Sequence, residues 1–144
     1  MNQAKAKEYR ILLAEDNIDN QFLIRAYLKD TPFHLVIAGT GEEAVEKFKE
    51  TRYDLVLMDL HMPVMDGYEA AKAIRHWEAG QMKGQSRFIQ VPIIALSASV
   101  LKEDIEKSFQ VGCTDHLMKP IRKNVLMKTL RHFLNIENFP VEEV

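Results

Sequence analysis

Cysteine is nearly absent from this 144-residue chain. The single Cys113 cannot close an internal disulfide, which excludes the disulfide scaffolds of small secreted domains. It also leaves no thiolate pair for a zinc site. Long apolar runs are missing as well: the longest span four or five residues, against the ~20 needed to cross a bilayer. The opening stretch Met1–Arg10 is polar and lysine-bearing, so it does not read as a signal peptide. Excess charge of either sign is lacking, with 19 Lys plus Arg against 21 Asp plus Glu and a net charge of −2. A general nucleic-acid or membrane-surface binder needs a basic excess that is not here. These absences lead us to expect a cytoplasmic protein with no nucleic-acid partner and no membrane contact. A domain cut from a larger membrane protein would read the same way.

What is present suits one globular domain. Hydrophobic residues make up 47% and charged residues 28%, and a chain of this length buries about two-thirds of its unfolded surface. Three short apolar runs end in polar residues: Ile11–Ala14 before Glu15 and Asp16, Leu55–Met58 before Asp59, and Ile93–Leu96 before Ser97. None alternates, so each reads as a strand buried on both faces of a parallel sheet. Leu35–Ala38 and His116–Met118 are weaker runs of the same kind. Helical stripes lie between them: Phe22, Leu23, Ala26 and Tyr27; Ala44, Val45 and Phe48; Leu126, Leu130, Phe133 and Leu134. Asp66–Gly67 opens a helix through Trp77, and Lys102–Val111 stops at Gly112. The stretch 79–90 reads as a long polar loop and 138–144 as a frayed acidic tail. The domain is expected over 10–134, between a lead of 1–9 and a tail of 135–144.

Strand and helix alternate five times, which predicts an α/β fold: a doubly wound parallel sheet with helices on both faces. In such sheets ligands bind beyond the carboxyl ends of the strands. Those ends carry Glu15, Asp16, Asp59, Ser97 and Lys119. Three carboxylates on one rim must take up protons or share a cation. Carboxylate oxygens suit Mg²⁺, which often works beside a phosphate. A carboxylate is also a competent nucleophile for a phosphoryl group, whose oxygens then need a cation and donors around them. Asp59, central by chain order, is the expected nucleophile. Glu15 and Asp16 are the expected metal ligands, with Lys119 and Ser97 as phosphate clamps.

At these residues the chain resembles the response-regulator receiver domains of two-component signalling. The resemblance rests on Glu15-Asp16-Asn17, Asp59-Leu60-His61-Met62-Pro63-Val64-Met65-Asp66-Gly67, Ala95-Leu96-Ser97-Ala98 and Lys119-Pro120, and it covers about Arg10 to Leu134. The wording from Met62 to Ala70 is most similar to receivers attached to hybrid sensor kinases. The resemblance implies a five-stranded, flavodoxin-like sheet in the order 2-1-3-4-5. It implies Mg²⁺ held by Glu15, Asp16, Asp59 and the backbone carbonyl of His61, with phosphoryl transfer from a phosphohistidine to Asp59. Ser97 then moves to the phosphate, Lys119 pairs with it, and the Lys119–Pro120 bond is cis. Two departures stand out. Glu15 occupies a position more often held by Asp, and His116 occupies the switch position usually held by Tyr or Phe. His61 and Ser99 fall where receivers tune the attack of water.

The implied partners are a sensor histidine kinase or histidine-phosphotransfer domain and a downstream protein target, reached through the fourth and fifth helices, where a homodimer is also feasible. On this reading the chain is a phosphoacceptor and not an enzyme. Other classes fit less well. A phosphatase working through an aspartyl phosphate wants a second Asp two residues after the nucleophile, where His61 stands. A flavin carrier wants a Ser/Thr/Gly-rich loop where Glu15-Asp16-Asn17 stands. A degenerate receiver, serving as a phosphorylation-independent interaction module, would lack some of the residues that are present. Asp66–Gly67 and Asn17 are expected to be structural, Cys113 to pack as a small buried hydrophobe, and the seven methionines to fill the core.

Overall fold

Five apolar segments meet as parallel neighbours in a computed structural model that describes residues 7–84 and 90–136. In chain order the elements are β1 (Tyr9–Ala14), α1 (Ile18–Leu28), β2 (Phe33–Ala38), α2 (Gly41–Glu50), β3 (Leu55–Asp59), α3 (Gly67–Gln81), β4 (Ile93–Ser97), α4 (Lys102–Gln110), β5 (Asp115–Met118) and α5 (Lys123–Phe133). The sheet order is β2-β1-β3-β4-β5 and every pairing is parallel. This is the doubly wound, flavodoxin-like arrangement anticipated above. All five residues of β3 and all five of β4 are buried, as the unbroken apolar runs require.

Successive side chains on a strand point to opposite faces, and two cores result. Leu12, Ala14, Val56 and Met58 pack with Ala44, Phe48, Ala70 and Ile74 of α2 and α3. Ile11, Leu13, Leu55 and Leu57 pack with Ile24 and Leu28 of α1 and Leu126 and Leu130 of α5. Each fully buried Leu or Ile contributes about 1.5–3 kcal/mol. Three helices open on capping side chains: Asn17, Thr40 and Asp66 each accept the backbone N–H three residues on. Asn17 and Asp66–Gly67 are therefore structural, as expected, and Cys113 is buried.

Several expectations need correction. On α1 the buried face is Ile24 and Leu28, whereas Phe22 is 66% exposed. The Gln21 amide donates to the Glu15 carbonyl (2.6 Å) and the Tyr27 hydroxyl to the Ile121 carbonyl (2.9 Å), which turns the Phe22–Ala26 side outward. The loop expected over 79–90 is partly helix, since α3 runs to Gln81 and a turn follows to residue 84. Residues 85–89 of that loop, and the tail 138–144, lie outside the described residues. β1 begins at Tyr9 and Ile136 packs against the α1/α5 core, each just beyond the expected limits of 10 and 134. Met58, Met62 and Met127 are buried, but Met118, at the end of the edge strand β5, is 49% exposed.

α3 continues past the expected stop because a buried ion pair fastens its last turns. Arg75 Nη1 lies 2.7 Å from Glu78 Oε1 and also donates to the Val91 carbonyl, while its Nε donates to the Gly112 carbonyl. The other Glu78 oxygen accepts the Val91 N–H at 3.0 Å. Gly112 sits at φ +108°, and a Cβ there would come within 2.7 Å of Arg75 Cγ. Replacing Arg75 by Ala strands a buried carboxylate and two carbonyls, so we expect a loss of about 3–5 kcal/mol in urea denaturation. A loss below about 1 kcal/mol would mean the network is not a structural clamp.

Candidate functional site

Parallel strands present their carboxyl ends on one edge, and the edge here is acidic. Glu15 follows β1, Asp59 ends β3, Ser97 ends β4 and Lys119 follows β5. Glu15 and Asp59 are 1% and 3% exposed, whereas Asp16 is open to solvent. Ligand atoms of Glu15, Asp16 and Asp59 lie within 4.8 Å of one another. Lys119 Nζ reaches into this group, 2.9 Å from Glu15 Oε1 and 3.2 Å from Asp59 Oδ2. The Lys119–Pro120 bond is cis, as the resemblance implied.

The charges act on one another strongly. Burial, reinforced by Asp59, raises the Glu15 carboxyl from 4.5 to about 7, even though Lys119 pulls it down. For Lys119, burial works to lower the ammonium, but the carboxylates of Glu15 and Asp59 outweigh it and hold it above 10.5. One ammonium among three carboxylates leaves net negative charge in a poorly solvated place. The buried Glu15 Oε2 has no hydrogen-bond partner. An orphaned carboxylate oxygen beside two further carboxylates fits a hard divalent cation such as Mg²⁺. The residues present therefore suit the metal that the resemblance implies.

Backbone shape holds Asp59 in place. A Cβ on Gly67 would stand 2.1 Å from the Asp59 carbonyl oxygen, so only glycine lets α3 start so close beneath it. The Gly67 N–H donates to the Leu60 carbonyl at 3.1 Å. Val64 sits at φ 70°, and the Met65 N–H donates across it to the Pro63 carbonyl, a tight three-residue turn that is costly for a branched side chain. The His61 N–H donates to Asp59 Oδ1 at 3.1 Å.

Ser97 is fully buried at the end of β4 and caps no helix; the residue preceding α4 is Leu101, which makes no side-chain cap. Its Oγ accepts the Ser99 N–H at 3.0 Å and stands 3.4 Å from Nε2 of the His61 ring. The ring of His61 is thus within reach of the site and lies edge-on to Tyr68. His116 is on β5, opposite Ala95, with neither ring nitrogen partnered. It is near the rim but in no direct contact with the carboxylates. Two features escaped the sequence reading: the Glu15–Lys119 ion pair and a Ser99–Asp104 bond. Both join residues brought together only by the sheet edge or the start of α4. The Gly67 contact was half visible in the Asp66–Gly67 pair.

Strand order and an acidic rim with a lysine define a doubly wound domain with a candidate cation site at its carboxyl edge, and comparison with known proteins gives its family. Residues 11–131 match the family profile of the response regulator receiver domain. The chain belongs to that family. It is 39% identical over 130 residues to hybrid signal transduction histidine kinase B of Dictyostelium discoideum, covering 88% of this chain and 7% of that protein. It is 36% identical over 138 residues to the Saccharomyces cerevisiae osmolarity two-component system protein SSK1, covering 83% of this chain and 19% of that protein. The chain thus spans under a fifth of the length of these curated relatives.

Among solved structures, it is similar to the yeast Ssk1 receiver domain, co-crystallised with the histidine phosphotransfer protein Ypd1. The TM-score is 0.82 at 36% identity, over 90% of this chain and 91% of that one. It is also similar to a receiver domain of a Pseudomonas aeruginosa sensor histidine kinase that holds a magnesium ion in its active-site cleft. There the TM-score is 0.75 at 37% identity, over 89% of this chain and 98% of that one. No helix among the described residues is long and apolar enough to cross a membrane.

The raised Glu15 carboxyl makes a signed prediction for the metal-free protein. The folded state binds this proton more tightly than the unfolded chain, so the penalty is absent below about 4.5 and complete above about 7. Glu15→Gln carries no such penalty. With a chelator present, it should melt on the order of 5 °C above wild type at pH 8, and the two curves should converge as pH falls below 5. Equal melting temperatures at pH 8 would show that Glu15 is not strained by its neighbours.

Proposed function

We propose that this receiver domain takes a phosphoryl group on Asp59 from a phosphohistidine, assisted by Mg²⁺. The observation that carries the reading is the convergence of Glu15, Asp16 and Asp59 within 4.8 Å around a lysine that touches two of them. The ion, when bound, supplies positive charge to the phosphoryl oxygens. Glu15, Asp16, Asp59 and the backbone carbonyl of His61 are the groups that would hold it.

The chain's own residues do the rest. Asp59 is held by the His61 N–H on Oδ1. Its other oxygen, Oδ2, attacks phosphorus in line. The N–P bond to the donor imidazole breaks, the O–P bond forms, and the imidazole leaves with the electron pair and takes up a proton from solvent. Lys119 shifts from Asp59 Oδ2 to a phosphoryl oxygen, and the Ser97 hydroxyl donates to another. These new charge-assisted contacts are of the size that biases a two-state equilibrium of a few kcal/mol.

In this reading the chain is a stoichiometric acceptor and not an enzyme, and it works on the cytoplasmic side. Its partners are a sensor histidine kinase or histidine-phosphotransfer domain upstream and a protein target downstream. The Ypd1 co-crystal of a similar receiver supports the first of these. Exposed Leu101 just before α4, Phe109 of α4, Met118 of β5 and Val125 of α5 make the face through which the target, or a second copy, would be met.

Intact mass after incubation with acetyl phosphate tests the reading. We expect one phosphoryl adduct that requires Mg²⁺ and disappears in Asp59→Asn. Lys119→Ala should slow its formation by about 10²-fold or more, the scale of losing a preorganised charge. Absence of an adduct, together with absence of Mg²⁺ binding, would leave a receiver fold used only for contact. Rapid turnover of many donor equivalents would make it a phosphatase.

A further inference from the structure

The loop after β4 is held by a short chain of hydrogen bonds that leads away from the acidic rim. Ser97 Oγ accepts the Ser99 N–H at 3.0 Å. The Ser99 hydroxyl donates to Asp104 Oδ2, and Ser99 Oγ itself accepts the Leu101 N–H at 3.2 Å. Asp104 stands in the first turn of α4, where its charge suits the helix dipole. Its backbone carbonyl accepts the Tyr68 hydroxyl at 3.3 Å, and Lys107 Nζ lies 4.2 Å from the centre of the Tyr68 ring. One carboxylate thus ties the start of α4 to the hydroxyl proposed to clamp the phosphate. α4 has little else to hold it: its preceding residue makes no side-chain cap, and its single buried residue is Ser108.

A second titratable group feels the charge of that carboxylate. His116 on β5 has both ring nitrogens buried and neither hydrogen-bonded. The charged groups acting on it are Asp104 from α4 and Asp115 on its own strand, while β4 faces it with Ala95. Burial holds its imidazole below 6.5, with the two carboxylates pulling the other way. A neutral imidazole leaves its ring N–H unpaired here, and a charged one must find an acceptor. Asp115 already accepts the His116 backbone N–H at 2.8 Å through Oδ1. Asp104 is the acceptor that the ring gains by moving.

We propose that Asp104 is a positioning residue: through Ser99 it latches the Ser97 hydroxyl in its resting place, and His116 is the group that draws Asp104 off when the latch opens. The Ser97 part rests on the phosphoacceptor reading above; the latch itself does not. A Phe ring at position 116 could only fill the space. An imidazole there can also make the bond that replaces Ser99–Asp104, and acid adds a second route to the open state.

Amide and imidazole NMR on the whole chain tests this without any phosphorylation. In wild type, the Ser97, Ser99 and Leu101 amides should move with a midpoint matching that of the His116 ring, below 6.5. The His61 ring also stands 3.4 Å from Ser97 Oγ, so the same series is read in His116→Phe. That variant should lose the step matched to His116 and keep any step of other origin. Asp104→Ala should place the three amides at the open position at every pH, whereas Asp104→Asn, whose side-chain oxygen still accepts from Ser99, should restore the closed position at neutral pH. In acetyl phosphate assays Asp104→Ala should then form adduct severalfold faster than either wild type or Asp104→Asn.

Amides unmoved by Asp104→Ala would overturn the latch. So would an Asn variant that behaves like Ala, or a loop transition that persists at the His116 midpoint in His116→Phe. Failure of adduct formation in every variant, with the NMR shifts as expected, would count against the phosphoacceptor reading and leave the latch standing.

Discussion

Mutual repulsion among Glu15, Asp16 and Asp59 is the constraint around which this fold is arranged. Parallel strands bring their carboxyl ends level, so three acidic residues that are far apart in the chain end up within 4.8 Å. Two of them are buried, where charge is expensive unless it is paired. The molecule meets that expense with one ammonium, Lys119, delivered by the neighbouring β5–α5 connection at 2.9 and 3.2 Å. The account does not close, because Glu15 Oε2 remains unpartnered. A site left short of one positive charge is a site prepared to receive one, and this is the sense in which folding and function conflict here.

The surroundings divide into a rigid half and a loose half. On the α2/α3 side, Gly67 lets α3 begin directly under Asp59, and the Arg75–Glu78 pair pins its far end to Val91 and Gly112. That half fixes Asp59, the proposed nucleophile. On the α4 side, the helix buries only Ser108 and is attached at its start through Ser99 and Asp104. Segments with few buried apolar contacts open at low free energy. The same edge therefore holds a firmly seated carboxylate beside a hydroxyl at the end of β4, where a lightly anchored loop begins. A switch driven by a new phosphate needs that combination, since small shifts become discrete when one side cannot yield.

Much of this was legible in the sequence. Strand runs buried on both faces have no alternation to misread, so β1, β3 and β4 were found within two residues of their ends, and the carboxyl-edge rule brought Glu15, Asp16, Asp59, Ser97 and Lys119 together before any coordinates. The α1 face was misread because Phe22 is large and apolar, while the turn of the helix is set by hydrogen bonds from Gln21 and Tyr27 that no periodicity reveals. α3 outlasted its expected end because the residues that hold it, Val91 and Gly112, are distant in sequence. The Glu15–Lys119 pair and the Ser99–Asp104 bond were invisible for the same reason. Propensity and pattern are local, and these contacts exist only once the sheet has formed.

Calorimetric titration of the protein with Mg²⁺ at pH 8 examines the central claim most directly, because it asks whether the unbalanced acidic rim is a cation site. The account predicts one saturable site per chain, lost in Asp59→Asn and weakened in Glu15→Gln, with binding that fades as pH falls through about 7, where Glu15 takes up its proton. Heat indistinguishable from dilution, or binding untouched by both substitutions, would contradict it.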